Sequence, residues 1–156
     1  MSLAVAPAAP FVFVDTSVLL RSEDGADPAA QARAIDWLAV LWQRRLGRTA
    51  TSVLTDFYQH ATQHLRPAMP AGDARAEVRR YQHWRPWQTD HATVEAAWSV
   101  ESRFGLRFAD ALVVAAAQQQ GCGWLLSEHL PHGQTVDGVR LLHPQHAAPS
   151  ILDTAI

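Results

Sequence analysis

Phe11-Val12-Phe13-Val14-Asp15-Thr16-Ser17 is an apolar run too short for a helix, and it ends on a carboxylate and two hydroxyls. Such a run reads as a strand buried on both faces. In open α/β sheets the groups that do chemistry sit just beyond the carboxyl ends of the strands, on a rigid support. Asp15 is therefore a candidate site residue. Asp, Thr and Ser are also good helix N-caps, so Asp15 could simply cap the helix that follows. The stretch by itself leaves both roles open.

Outward from this strand, Asp27-Pro28 reads as N-cap and first helical residue, opening a helix over 28–46 with Gly47 at its end. Ile35, Leu38, Trp42 and Leu46 form one apolar stripe on it; Ala34, Trp37 and Leu41 form a second. Arg48 to Ala50 fits a short strand, with Thr51 or Ser52 capping a helix through Val53, Leu54, Phe57, Ala61 and Leu65. After the break at 67–72, a helix from about Asp73 turns Val78, Tyr81 and Trp84 inward and Arg75, Arg79 and Arg80 to solvent. Asp90 caps a segment closed by Gly105, and 109–120 is a strong helix former followed by Gly121. Trp124 to Leu126 and Val139 to Leu142 complete the strands. Alternating strands and helices imply a mainly parallel sheet covered on both faces.

The 156 residues are the length of one domain. A formal charge of −2 provides no global basic field, so unselective nucleic-acid binding by bulk electrostatics is excluded and any phosphate contact must be local. All 13 basic residues are Arg. The single Cys122 forms no intramolecular disulfide and has no second thiol for a structural zinc site, so it reads as a packing residue in a reducing cytoplasm. The Ala- and Pro-rich opening 1–10 has no basic residue ahead of its apolar part and is too short to span a bilayer; it reads as an extended or disordered segment, with no membrane association expected.

Three carboxylates share one kind of setting: Asp15 after a strand, Asp56 in the first turns of a helix, and Asp110 at the start of a nearly continuous Ala/Val/Leu helix. Acids gathered at strand ends and helix starts repel one another unless a cation neutralises them. All-oxygen ligands suit Mg²⁺ or Mn²⁺ rather than Zn²⁺.

The order Val14-Asp15-Thr16-Ser17, then Thr51-Ser52-Val53-Leu54-Thr55-Asp56-Phe57-Tyr58, then Phe108-Ala109-Asp110-Ala111-Leu112-Val113-Val114-Ala115-Ala116, then Leu125-Leu126-Ser127-Glu128-His129-Leu130 resembles the PIN-domain family, notably the VapC-type toxin ribonucleases. The resemblance implies a doubly wound, three-layer α/β sandwich over 11–145, with a central, mainly parallel sheet of about five strands and a tail at 146–156. It also implies a metal-dependent endoribonuclease. Asp15, Asp56 and Asp110 would be the catalytic, Mg²⁺- or Mn²⁺-holding residues, with Glu128 a further candidate ligand and Ser17, Ser127 and His129 in support. The partners it implies are an RNA substrate and a small antitoxin, and a homodimer is expected.

Two positions depart from the family pattern. Asp56 stands where relatives usually carry Glu, one methylene longer, and the shorter side chain implies a carboxylate bridged to the ion by water. His129 stands where the fourth motif usually ends in Asp, and imidazole is a poor Mg²⁺ ligand although acceptable to Mn²⁺. His129 could serve as an acid or base; the simpler reading is that the fourth acid has been lost. Glu128 is adjacent, but neighbouring strand-end residues point opposite ways by default. His60 and His64, one turn apart, lack a third ligand at a sensible spacing, and His132 likewise reads as surface. These departures keep a second class open, a PIN-like RNA- or protein-binding module without cleavage. A haloacid-dehalogenase-like phosphatase using Asp15 as nucleophile is remote, because Ser17 stands where a second Asp is needed and the chain has no Lys.

Overall fold

The apolar run at 11–14 forms strand β1 (Val12–Val14), all three residues fully buried. The computed structural model describes residues 10–154, so the expected extended opening lies, apart from Pro10, outside the described residues. After β1 come α1 (Thr16–Ser22), α2 (Pro28–Arg44), β2 (Gly47–Arg48), α3 (Thr51–Gln63), α4 (Ala71–Arg80), a 3-10 turn (Tyr81–Trp84), α5 (His91–Phe104), α6 (Phe108–Gln119), β3 (Trp124–Leu126), β4 (Thr135–Val136), β5 (Val139–Leu142) and α7 (Ile151–Thr154).

The strands form one five-stranded sheet in the order β2-β1-β3-β5-β4, parallel except for β4 at the edge. This is the mainly parallel, helix-flanked sheet expected from the alternating pattern. β1 has β2 on one side and β3 on the other, so the chain's winding direction reverses at β1. The crevice beyond the carboxyl ends of β1 and β3 is therefore a topological switch point, where such sheets bind ligands. Backbone bonds hold the strand ends level: Asp15 N donates to Leu126 O at 3.0 Å, and Ser127 N to Leu142 O at 2.9 Å.

Side-chain caps explain the starts of α1, α2 and α5. Asp27 and Asp90 cap α2 and α5 through Oδ1, to Ala30 N at 3.1 Å and Thr93 N at 2.8 Å. α3 differs from expectation: its cap position is Ala50, with no side-chain hydrogen bond, and Thr51 and Ser52 already lie within the helix. The end of α2 differs too. Arg45, with φ 58°, makes the left-handed turn, and Gly47 begins β2 because the Trp84 ring lies where a Cβ at residue 47 would stand. The second α2 stripe is the buried one, with Ala34, Trp37 and Leu41 at 0 % exposure, while Ile35 turns to solvent.

Tyr81 and Trp84 point inward as expected. Trp37, Trp84 and Trp124 belong to the core, so much of the chain's Trp content is structural. Cys122 is buried, and burial pushes its thiol up to about 12, as fits a packing residue. α6 puts small residues, Ala111, Ala115, Ala116 and Ala117, against the core. Beyond residue 145, Ala147 O accepts from Trp37 Nε1 at 2.8 Å and Asp153 pairs with Arg44 at 2.8 Å. Among the described residues no helix is long and apolar enough to cross a membrane.

Candidate active site

The switch-point crevice opens into a cleft of about 390 Å³ whose lining includes Asp15, Ser17, Asp56, Asp110 and His129. Four segments far apart in sequence supply them: the turn after β1, α3, the first turn of α6 and the loop after β3. The three aspartates singled out by the sequence thus line one cleft.

Asp15 is the anchored member. It is partly buried, and its carboxylate accepts from Thr16 N at 2.8 Å on Oδ1, and from Ser127 Oγ at 2.9 Å and Ser17 Oγ at 3.4 Å on Oδ2. The N-cap role and the site role are therefore held by the same side chain, since Asp15 caps α1 while facing the cleft. Burial pushes its pKa above the ordinary value; hydrogen bonds from Ser127 and Thr16 and the nearby His129 oppose this, and Asp110 adds to the rise.

The two hydroxyls also order the loop after β3. Ser17 Oγ accepts from Glu128 N at 3.0 Å and Ser127 Oγ accepts from His129 N at 3.1 Å. Glu128 itself faces away from the cleft. Its carboxylate takes three hydrogen bonds from Arg21, at 3.0 to 3.3 Å, so it locks the loop to α1 and is not brought to the other acids. His129 does reach the cleft.

Asp110 sits in the first turn of α6, where the helix dipole favours negative charge. Arg107, the residue before α6, holds it through Nε to Oδ2 at 3.2 Å. Asp56 is exposed on the cleft side of α3. Its neighbour one turn on, His60, also lines the cleft, with the His64 ring tilted against it at 5.1 Å between ring centroids. Arg107 and His60 were not among the expected site residues. The helical spacings of three and four that link them to Asp110 and Asp56 are the signal that could have found them.

Hard oxygen donors at Asp15, Asp110 and Asp56, with hydroxyls nearby, are the donor chemistry of Mg²⁺ or Mn²⁺. As the side chains stand, with Arg107 on Asp110, no group of three or more His, Cys, Asp or Glu is gathered closely enough to hold a metal ion among the described residues. The convergence of Asp15, Asp56 and Asp110 on one cleft is the observation in favour of a shared cation.

The pattern of the PIN domain family matches residues 12–128. No curated protein matches the chain significantly in sequence. Among solved structures, a toxin-antitoxin complex from Klebsiella pneumoniae is similar with TM-score 0.59 and 12% identity, covering 85% of this chain and 97% of that one. The toxin VapC20 of Mycobacterium tuberculosis, described as cleaving the sarcin-ricin loop, is similar with TM-score 0.57 and 24% identity over 73% of this chain and 86% of its own. A DNA-bound complex of VapBC2 from Rickettsia felis is similar with TM-score 0.57 and 8% identity, covering 85% and 98%.

Proposed function

This chain belongs to the PIN domain family, and from that premise and the contents of its cleft we propose that it is a metal-dependent endoribonuclease, the toxin half of a toxin-antitoxin pair. The observation that carries the reading is the meeting of Asp15, Asp56 and Asp110, from three separate segments, at the switch point of the sheet. A Mg²⁺ or Mn²⁺ ion held by Asp15 and Asp110, with Asp56 at the rim, would polarise the phosphoryl group and lower the pKa of a bound water. Ser127 and Thr16 keep Asp15 oriented and favour its ionised form. Arg107 offers a cation to a phosphate at the cleft mouth once Asp110 is otherwise engaged. His60 and His129 add hydrogen-bonding groups beside the same space.

The toxin complexes among the similar folds support a small antitoxin as partner, and a cytoplasmic homodimer is the assembly we propose. The test is cleavage of a mixed-sequence RNA with Mn²⁺ or Mg²⁺. Asp15→Asn and Asp110→Asn should abolish it, and Asp56→Ala should lower it by about 10- to 100-fold, as expected of a group acting at one remove from the ion.

A second reading, an RNA- or protein-binding PIN module without cleavage, is favoured by the present engagement of Asp110 with Arg107 and by His129 at the fourth motif. RNA binding without metal-dependent cleavage in the unmodified chain would select it.

A further inference from the structure

At the other edge of the sheet, where β2 begins, a cavity of about 400 Å³ is lined by Trp42, Arg45, Gly47, Arg48, His83, Trp84 and Arg85. No acid lines it. Two acids that pair with other arginines of α2 and α4 are Asp153, on Arg44, and Glu77, on Arg80, each at 2.8 Å. Arg45 and Arg85 make no side-chain hydrogen bond or ion pair among the described residues. Arg48 is half-buried, with its guanidinium 4.0 Å from the centre of the Phe11 ring and one N–H donated to Gly47 O at 2.7 Å. Burial lowers its pKa, as does the neighbouring Arg85, with Cys122 opposing; Arg45, Arg48 and Arg85 share one cavity lining that contains no acid among the described residues.

The floor of the cavity carries a second, independent sign of an unmet partner. Trp84 is 3 % exposed, and its indole Nε1–H is a buried donor without an acceptor among the described residues. The ring packs against Gly47, in space that any side chain at residue 47 would fill. Both Arg45 and Arg85 adopt left-handed backbone, with φ 58° and 52°, a conformation that costs a non-glycine residue free energy yet here aims two cations at one space. Convergent guanidinium groups, an orphan N–H and aromatic walls together make a receptor for an oxyanion.

We propose that this cavity is a phosphate-binding site, distinct from the carboxylate cleft, and that it takes a backbone phosphate of the RNA strand cut there. The second half of this statement rests on the ribonuclease reading; the first half does not. Arg48 and Ser52 of the cleft are only four residues apart, which limits their Cα separation to about 14 Å. A few nucleotides span that distance. The arrangement answers the weak overall charge of the chain: with no global basic field, the strand is gripped at a local cationic pocket and cut at an acidic one.

The experiment is an NMR titration of the ¹⁵N-labelled full chain in EDTA, following the indole N–H resonances, with Trp84→Phe assigning the Trp84 signal. Inorganic phosphate, uridine monophosphate and a short oligouridylate are added in turn, with sodium chloride as the ionic-strength control. Phosphate should move the Trp84 resonance where chloride does not, and Arg45→Gln/Arg85→Gln should lose this response while keeping the parent's melting temperature. The oligouridylate should bind more tightly than the monophosphate, and the double variant should flatten its salt dependence by about 0.7 in log affinity per log salt, the value of one phosphate contact on a single strand. A response to phosphate and monophosphate with no gain for the oligonucleotide would overturn the strand as ligand and leave a site for a free phosphate. No movement of the Trp84 resonance by any phosphate would overturn the site itself. Loss of the ribonuclease reading would instead show as absent cleavage with the phosphate response intact.

Discussion

Ser127 Oγ donates to Asp15 Oδ2 at 2.9 Å across a separation of 112 residues, tying the end of β3 to the end of β1. The same oxygen accepts from His129 N, so one buried hydroxyl orders both the anchored acid and the loop beside it. Ser127→Ala removes a donor from a carboxylate and an acceptor from a backbone N–H at once. Leaving buried polar groups unpaired costs about 1–3 kcal/mol each, and we expect a stability loss in that range by urea denaturation. The hydrogen bond favours ionised Asp15, so its loss raises the Asp15 pKa further and moves the acid limb of any cleavage profile to higher pH. An unmoved acid limb would show that Ser127 does not tune Asp15.

Asp15 itself should trade stability for function. Its pKa is raised above 3.8, with burial the largest cause, so the folded state prefers the protonated acid. That contribution to stability is fully present below the unfolded value and is lost as pH rises through the folded one. Asp15→Asn is neutral at every pH. It should therefore melt higher than the parent at pH 7 in EDTA, with the gap closing as pH falls below 3.8. Added Mn²⁺ should raise the melting temperature of the parent and leave the variant unchanged. A variant less stable than the parent at pH 7 contradicts the argument.

The parts of this site that were legible in the sequence are those carried by local pattern. The strand-to-turn transition at Val14-Asp15 and the helix starts near Asp56 and Asp110 are short-range signals, and the sheet brings them together because the chain reverses its winding at β1. What stayed hidden depends on distant partners. Glu128 faces Arg21, 107 residues away, and no spacing rule reveals that pairing. Gly47 looked like a helix terminator because glycine usually is one; its actual role is to admit the Trp84 ring, a contact between segments more than thirty residues apart. The β4–β5 hairpin did carry a local signal, Asp137-Gly138, with positive φ at both residues (49° and 82°), the turn geometry that Asp-Gly favours. Arg103 then clamps Asp137 with two hydrogen bonds.

Arg107 and a divalent ion compete for Asp110. The pair is asymmetric in exposure, 77 % for Arg107 against 19 % for Asp110, and an ion pair this open is worth about 0–1 kcal/mol. Arg107→Gln should leave the melting temperature within experimental error yet tighten Mn²⁺ binding up to about fivefold, the equivalent of that energy. Calorimetric titration with Mn²⁺ reads this directly. For RNA the change has the opposite sign, because a phosphate-facing cation is lost, so KM should rise. Weaker Mn²⁺ binding in the variant would mean that Arg107 positions Asp110 for the ion instead of competing with it.

Gly47→Ala tests the close approach that separates α2 from β2. The added methyl would overlap the six-membered part of the Trp84 ring, and Trp84 cannot retreat freely because Trp42 and Tyr81 pack against it with ring centroids at 4.9 and 4.8 Å. Residue 47 is also paired with Val12, so the β2 backbone cannot yield without disturbing β1. Overpacking of this kind costs about 1–3 kcal/mol, and we expect a loss in that range by urea denaturation. The cleft lies at the opposite end of β1, so Mn²⁺ affinity should stay within twofold of the parent while the Trp84 indole resonance shifts. If Gly47→Ala is as stable as the parent, the ring can move aside, and the cradle that Gly47 provides for Trp84 is not a packing requirement.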